Sequence, residues 1–174
     1  MMGMKLVNVR DVFLSIINKP IFKKREILRP DYVPERLPYR EKQIYALSSI
    51  LAPSLKGARP SNIFIYGHVG TGKTAVVKFV LRELEKVAKE INSNVTTVYV
   101  NCRLSDTNYR VLAEICEGLG VIVPFTGLSI AEVFRRMLKQ LEKKSTILII
   151  VLDEIDALIK KVGDSILYRL VRVN

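Results

Sequence analysis

Gly67-His68-Val69-Gly70-Thr71-Gly72-Lys73-Thr74 fits the phosphate-loop pattern G-x-x-x-x-G-K-[ST] at every fixed position. The apolar residues 63–66 before it predict a short strand, and apolar residues at helical spacing from 74 to about 90 predict a helix after it. Glycines let successive backbone N–H groups turn toward phosphate oxygens, and the N-terminus of the helix adds its own unpaired N–H groups. In this context the stretch predicts a nucleotide site.

Each position of the loop has an expected role. Lys73 would reach the β- and γ-phosphates, and the Thr74 hydroxyl would hold Mg²⁺. His68 occupies a variable position of the pattern, so we expect it to shape or contact the loop rather than to act as a base. The expected ATP- or ADP-binding residues here are Gly67, His68, Val69, Gly70, Thr71, Gly72, Lys73, Thr74 and Ala75.

A second apolar run, residues 147–152, shows no polar alternation and is followed by Asp153 and Glu154. Such a run is typical of a strand buried on both faces of a parallel sheet, and open α/β sheets place ligands at the carboxyl ends of their strands. We expect Asp153 to hold Mg²⁺ through water, and Glu154 to orient and polarise the attacking water. Lys73 and Glu154 are therefore the predicted catalytic residues. Asp156 is expected to cap the next helix.

Strand and helix patterns alternate along the rest of the chain. Helices are predicted at 41–55, 109–117, 129–144 (with Ser129 as N-cap) and 164–173, and a second strand at 95–100. Before them, residues 1–18 have weak helical periodicity, and four prolines keep residues 20–40 mostly extended. The pattern predicts an α/β, three-layer fold with a mostly parallel sheet.

Composition narrows the functional classes. The 174 residues are 49% apolar, but no run reaches the about 20 apolar residues that span a membrane, which predicts a cytoplasmic protein with no membrane partner. Cys102 and Cys116 lie too far apart for a C-x-x-C pair, so reduced, buried thiols are expected. The net charge of +11 fits a polyanionic partner such as DNA and a solvated lysine-rich surface equally well.

Arg135 and Arg136 lie in a predicted helix and are candidate arginine fingers, although a solvated helix face is the preferred interpretation.

The phosphate loop together with the Asp153-Glu154 strand resembles the AAA+ ATPases. Three further stretches narrow the resemblance: Asp31-Tyr32-Val33-Pro34-Glu35-Arg36-Leu37-Pro38-Tyr39-Arg40-Glu41, then Asn101-Cys102-Arg103 with Thr107-x-Tyr109-Arg110-Val111-Leu112, and residues 118–134. They are similar to archaeal replication initiators, relatives of the eukaryotic origin-recognition-complex subunit and its partner cell-division-cycle ATPase. The resemblance spans residues 20–174.

The resemblance implies an ATP-binding initiator that recognises double-stranded origin DNA and loads the replicative helicase, with slow hydrolysis acting as a switch. It implies adenine contacts from Val33, Pro38 and Arg40, DNA contact from residues 118–134, other initiator paralogues as partners and a nucleoid-associated location. Residues 1–40 would then be the helix and adenine-contacting segment, and residues 41–174 a partial AAA+ core.

The chain departs from the family pattern after Asp153, where no match to a sensor strand, arginine finger, helical lid or winged-helix domain follows. The resemblance therefore predicts an N-terminal fragment whose sheet has a gap, with weak nucleotide binding and little turnover. Two other interpretations stay open at this point. One is a different AAA+ ATPase such as a clamp-loader subunit, and the other is a non-catalytic DNA-binding or interaction fragment.

Overall fold

The structure is a computed structural model that describes residues 8–10, 13–14, 27, 32–124 and 126–172. The chain divides into two compact units, residues 1–34 and 35–174. In the first unit, residues 9–10 and 13–14 are helical and residues 32–34 have no regular structure. Most of the predicted helix at 1–18 and of the predicted extended segment at 20–40 lies outside the described residues.

The second unit alternates helices and strands, as the sequence predicted. Its elements are α1 (Glu41–Leu51), a 3₁₀ helix (Ala52–Lys56), α2 (Lys73–Glu90), β1 (Val95–Asn101), α3 (Asn108–Gly118), α4 (Ile130–Lys144), β2 (Ile147–Asp153), α5 (Ile155–Val162) and α6 (Ser165–Val171). The predicted elements from residue 73 onward are confirmed to within two residues at each end. For α5 the sequence predicted a helix but not where it begins or ends, so its bounds cannot be compared.

β1 and β2 pair in parallel, in a register that runs from Val95 opposite Ile147 to Asn101 opposite Asp153. Side chains of a strand alternate between the two faces of a sheet. The odd-numbered apolar residues pack with α1 and α2, and the even-numbered ones pack with α3 and α4. The α/β class with helices on both faces of a parallel sheet is therefore confirmed. This stacking brings the start of α2 to the carboxyl end of β2.

The starts of α4 and α5 decide the two predictions made for helix caps. The Ser129 hydroxyl accepts a hydrogen bond from the backbone N–H of Glu132 at 3.2 Å, so the predicted N-cap of α4 is confirmed. The cap predicted for Asp156 is wrong. Asp156 lies inside the first turn of α5 and pairs with Lys160 at 3.3 Å, while Glu154 occupies the cap position.

The strand predicted at residues 63–66 is wrong. This segment has no regular structure, and its Phe64 and Tyr66 side chains are 77% and 82% exposed. An open cleft of about 420 Å³ is lined by residues 63–65 and by the whole of β2. Because paired strands lie about 4.7–4.9 Å apart, a segment across such a cleft cannot hydrogen-bond to β2.

The same cleft explains the partial exposure of β2. The sequence predicted a strand buried on both faces, but only Ile149 of β2 is buried, at 8% exposure, and its neighbours are half-buried. In the described part of the chain the sheet has two strands, so β2 has a single neighbour, β1. The predicted gap in the sheet therefore lies beside β2. Among the described helices, none combines the length and the apolar character needed to cross a bilayer.

Candidate nucleotide site

The loop before α2 depends on glycine for its conformation. Gly70 and Gly72 have φ angles of +77° and +80°, in the left-handed region, yet a Cβ at either position would meet no atom within 4 Å. Glycine is therefore required by the backbone angle and not by lack of space. Gly72 is the N-cap of α2 and brings no capping side chain, which leaves the first N–H groups of the helix available to an anion.

The Lys73 side chain folds back over the loop. Its ammonium group donates hydrogen bonds to the carbonyl oxygens of Gly67 at 2.9 Å and His68 at 2.8 Å. The Thr71 hydroxyl donates to the same His68 carbonyl at 2.8 Å. His68 thus takes part through its backbone while its side chain is exposed, and Val69 at the tip is fully exposed. The Lys73 ammonium group therefore lies at the loop, where the sequence predicted a lysine that binds phosphate.

The folded chain brings Thr74 and Asp153 together from 79 residues apart. The Thr74 hydroxyl donates to Oδ2 of Asp153 at 2.6 Å. Hydroxyl and carboxylate oxygens are hard ligands suited to Mg²⁺, which commonly completes its octahedron with phosphate and water oxygens. The described residues contain no cluster of three or more His, Cys, Asp or Glu side chains that could form an all-protein metal site. The donor set at the loop therefore fits Mg²⁺ bound together with phosphates.

Asp153 accepts hydrogen bonds on both carboxylate oxygens. Besides Thr74, Oδ2 accepts from the Tyr99 hydroxyl at 2.5 Å, and Oδ1 accepts from the backbone N–H of Glu154 at 3.0 Å. Burial opposes ionisation, but these three hydrogen bonds and the charge of Lys78 outweigh it, so the pKa of Asp153 lies below its ordinary value. Burial and the neighbouring carboxylate raise the pKa of Tyr99 well above its ordinary value. At neutral pH the pair is a neutral phenol donating to a carboxylate.

Glu154 sits in a strained backbone position beside this pair. Its φ of +54° lies in the left-handed region, which non-glycine residues adopt rarely and at a cost in backbone strain. Its side chain is 43% exposed, and one carboxylate oxygen lies 3.6 Å from Nη1 of Arg103, in the turn that follows β1. The predicted catalytic carboxylate is thus held by an exposed ion pair.

Sequence reasoning assigned no role at the site to Tyr99 or Arg103. Both follow from the pairing of β1 with β2. The sequence predicted a mostly parallel sheet but not which strands are neighbours. Had the register been known, Tyr99 would have been placed on the same sheet face as Asp153, two positions away.

Other predicted residues lie in varied surroundings. Cys102 and Cys116 are free and buried, as expected. Arg135 and Arg136 both pair with Glu132 at 2.9 Å, which agrees with a salt-bridged helix face rather than with arginine fingers.

The residues expected at the adenine belong to both units. Val33 belongs to the first unit, whereas Pro38 is exposed and Arg40 occupies the N-cap position of α1 in the second unit. Their contact with adenine stays a prediction.

Comparison with known proteins places this geometry in a family. The model of the AAA domain family matches residues 57–173. The ORC1-type DNA replication protein 1 of Sulfurisphaera tokodaii is 53% identical over 166 residues, which cover 95% of this chain and 41% of that relative. The ORC1-type DNA replication protein 1 of Sulfolobus acidocaldarius is 54% identical over 168 residues, covering 96% of this chain and 42% of the relative. The chain thus spans about two fifths of the length of these relatives.

Solved structures give the same result. The Aeropyrum pernix ORC1 protein in complex with DNA aligns with a TM-score of 0.83 and 51% identity, over 87% of this chain and 40% of that one. The Aeropyrum pernix ORC2 protein in its ADPNP–ADP complexes aligns with a TM-score of 0.75 and 26% identity, over 87% and 41%.

Proposed function

The chain belongs to the AAA family, in its ORC1-type replication-initiator branch, and from this premise we propose that it binds ATP with Mg²⁺ as the nucleotide-binding part of a DNA replication initiator. The hydrogen bond between Thr74 and Asp153 carries the proposal, since it joins the phosphate loop to the carboxylate that ends β2. The matching relatives are named DNA replication proteins. Their identity of about half across nearly the whole chain favours an initiator over a clamp-loader subunit.

On nucleotide binding, Lys73 would exchange its hydrogen bonds to loop carbonyls for contacts with phosphate oxygens. In the structure, the carbonyls of Gly67 and His68 accept hydrogen bonds from the Lys73 ammonium. An arriving triphosphate offers stronger, charged acceptors, so Lys73 would turn from these carbonyls to the β- and γ-phosphate oxygens. The N–H groups at the start of α2 would bind the same phosphates. The residues from Gly67 to Ala75 would thereby hold the nucleotide.

Thr74 and Asp153 would hold Mg²⁺, which supplies charge neutralisation at the phosphates when it is bound. Glu154 would accept a proton from the water that attacks the γ-phosphate, once its carboxylate leaves Arg103 and comes within hydrogen-bond reach of that water. In the structure this carboxylate is engaged by Arg103. Because the described sheet has two strands and a cleft beside β2, we expect little turnover from this chain. We propose that hydrolysis serves as a slow switch between conformations.

The proposed partners are double-stranded origin DNA, the replicative helicase and initiator paralogues, with the protein acting on chromosomal DNA in the cytoplasm. Support for DNA comes from the relative solved with DNA and from the net charge of +11. Adenine contact by Val33, Pro38 and Arg40, and DNA contact by residues 118–134, belong to the same proposal.

The DNA proposal can be tested by fluorescence anisotropy of a labelled duplex at several salt concentrations, with and without ADPNP. We expect the affinity to fall steeply with salt, by a logarithmic slope of about 0.9 for each phosphate contacted. Addition of ADPNP should shift the affinity of the wild type but not that of Lys73→Ala. Absence of DNA binding at the lowest salt, or an equal shift in both proteins, would contradict the proposal.

A further inference from the structure

Tyr99 reaches the metal-site carboxylate because of its place in the sheet. In the parallel register Tyr99 lies opposite Val151, and Asp153 lies two residues further along β2. Side chains two positions apart on a strand share a face, so Tyr99 and Asp153 are diagonal neighbours on the face covered by α2. Diagonal neighbours are within reach of an aromatic side chain. The observed distance of 2.5 Å from the phenol oxygen to Oδ2 shows that this reach is used.

A lysine of α2 contacts the ring of Tyr99. The ammonium group of Lys78 lies over the ring, 4.5 Å from its centroid. Lys78 is one helical turn after Thr74, so both side chains project from the same side of α2 toward the sheet. Tyr99 is thus clamped between a lysine and the carboxylate, and its hydroxyl donates to the oxygen that also accepts from Thr74.

We propose that Tyr99 is a positioning residue for Mg²⁺: its hydroxyl fixes Oδ2 of Asp153 toward Thr74, so that the carboxylate is in place before the metal arrives. A carboxylate with two donors on one oxygen has lost most of its rotational freedom. The hydroxyl donates its hydrogen bond to Asp153, so we expect its removal to change metal affinity rather than phosphate contact. This inference rests on the proposed nucleotide site.

The test separates the metal from the nucleotide. Calorimetry measures the affinity for ADPNP twice, in excess Mg²⁺ and in EDTA, for the wild type, Tyr99→Phe and Tyr109→Phe. Tyr99→Phe keeps the ring over which Lys78 lies and removes only the hydroxyl. Tyr109→Phe is the matched control, since the Tyr109 hydroxyl donates at 2.5 Å to the carbonyl of Pro124, in the layer on the opposite face of the sheet.

We expect Tyr99→Phe to bind ADPNP like the wild type in EDTA. In Mg²⁺, the strengthening of binding should be about tenfold smaller than in the wild type, as is typical when a residue that orients a metal ligand is lost. Tyr109→Phe should match the wild type in both buffers. Thermal melting confirms that the variants are folded.

Three results would overturn the inference. An unchanged Mg²⁺ effect in Tyr99→Phe refutes the positioning role and leaves the nucleotide site standing. Equal weakening with and without Mg²⁺, together with a lower melting temperature, assigns the hydroxyl to the fold instead. Failure of the wild type to bind ADPNP in either buffer refutes both the positioning role and the nucleotide site.

Discussion

Replacement of Gly72 by alanine tests whether the conformation of the phosphate loop is needed for binding. Gly72 has φ +80° and ψ +19°, and an added Cβ would meet nothing within 4 Å. The substitution therefore adds backbone strain without a steric clash. The left-handed conformation costs an L-residue about 1–2 kcal/mol relative to glycine.

If the loop cannot relax, this strain lowers the free energy of unfolding. If the empty loop can relax, the strain instead lowers the affinity for the nucleotide. Residues 67–72 are exposed, and Val69 is fully exposed. Because little packing holds the loop, we expect the Gly72→Ala loop to relax toward ordinary backbone angles when it is empty, and to be forced back when it binds phosphate. The affinity for Mg-ADPNP should then fall by about five- to thirtyfold, which corresponds to 1–2 kcal/mol, with little change in stability.

Isothermal calorimetry with Mg-ADPNP measures the affinity, and urea denaturation measures the stability. Gly57→Ala is the matched control, because Gly57 has φ +77° and ψ +7°, equally open space around its Cβ position, and a place at the end of the 3₁₀ helix. It should bind ADPNP like the wild type. Wild-type affinity in Gly72→Ala, or equal weakening in both variants, would refute the reasoning.

Three further predictions concern the packing and ion pairs of the fold. Gly118→Ala should destabilise the chain by about 1–3 kcal/mol in urea denaturation, because the new Cβ would lie 2.5 Å from Cγ2 of Val98; a loss that does not shrink in a Val98→Ala background would contradict this packing. Burial raises the pKa of Cys102 to about 11 and also raises that of Cys116. At pH 8 a disulfide reagent that reacts with thiols should therefore modify the native chain far more slowly than the urea-unfolded chain. Immediate modification of both thiols in the native chain would contradict their burial. The guanidinium groups of Arg135 and Arg136 lower the pKa of Glu132 from 4.5 to about 2. A carboxylate with a lowered folded pKa stabilises above its unfolded pKa, so the melting-temperature difference between wild type and Glu132→Gln should be full at pH 7 and vanish as pH falls from about 4.5 toward 2; a difference that grows on acidification would contradict the ion pairs.

Local patterns predicted most of the helices and both strands, because each depends on residues close in sequence. The start of α4 is specified by a hydrogen bond between Ser129 and Glu132, which are three positions apart. The apolar run before Asp153 identifies β2 without knowledge of its neighbouring strands. The phosphate loop is equally local, since its glycines and Lys73 interact within eight positions.

The errors arose where structure depends on distant partners. Residues 63–66 have the composition of a strand, but a strand forms only where another strand supplies hydrogen bonds, and β2 lies across a cleft from them. Asp156 resembles a cap by its position before an apolar run, yet the left-handed backbone at Glu154 starts α5 two residues earlier. The roles of Tyr99 and Arg103 required the register of β1 and β2, which a single sequence does not contain.

The proposal that Lys73 binds the phosphates of ATP can be tested most directly by calorimetric titration of the chain with Mg-ADPNP. The control is Lys86→Ala, which removes an exposed lysine on the same helix that pairs with Glu83. We predict saturable binding to one site in the wild type and in Lys86→Ala, and none in Lys73→Ala. Equal binding by all three proteins, or no binding by the wild type, would contradict the assignment of this loop as a nucleotide site.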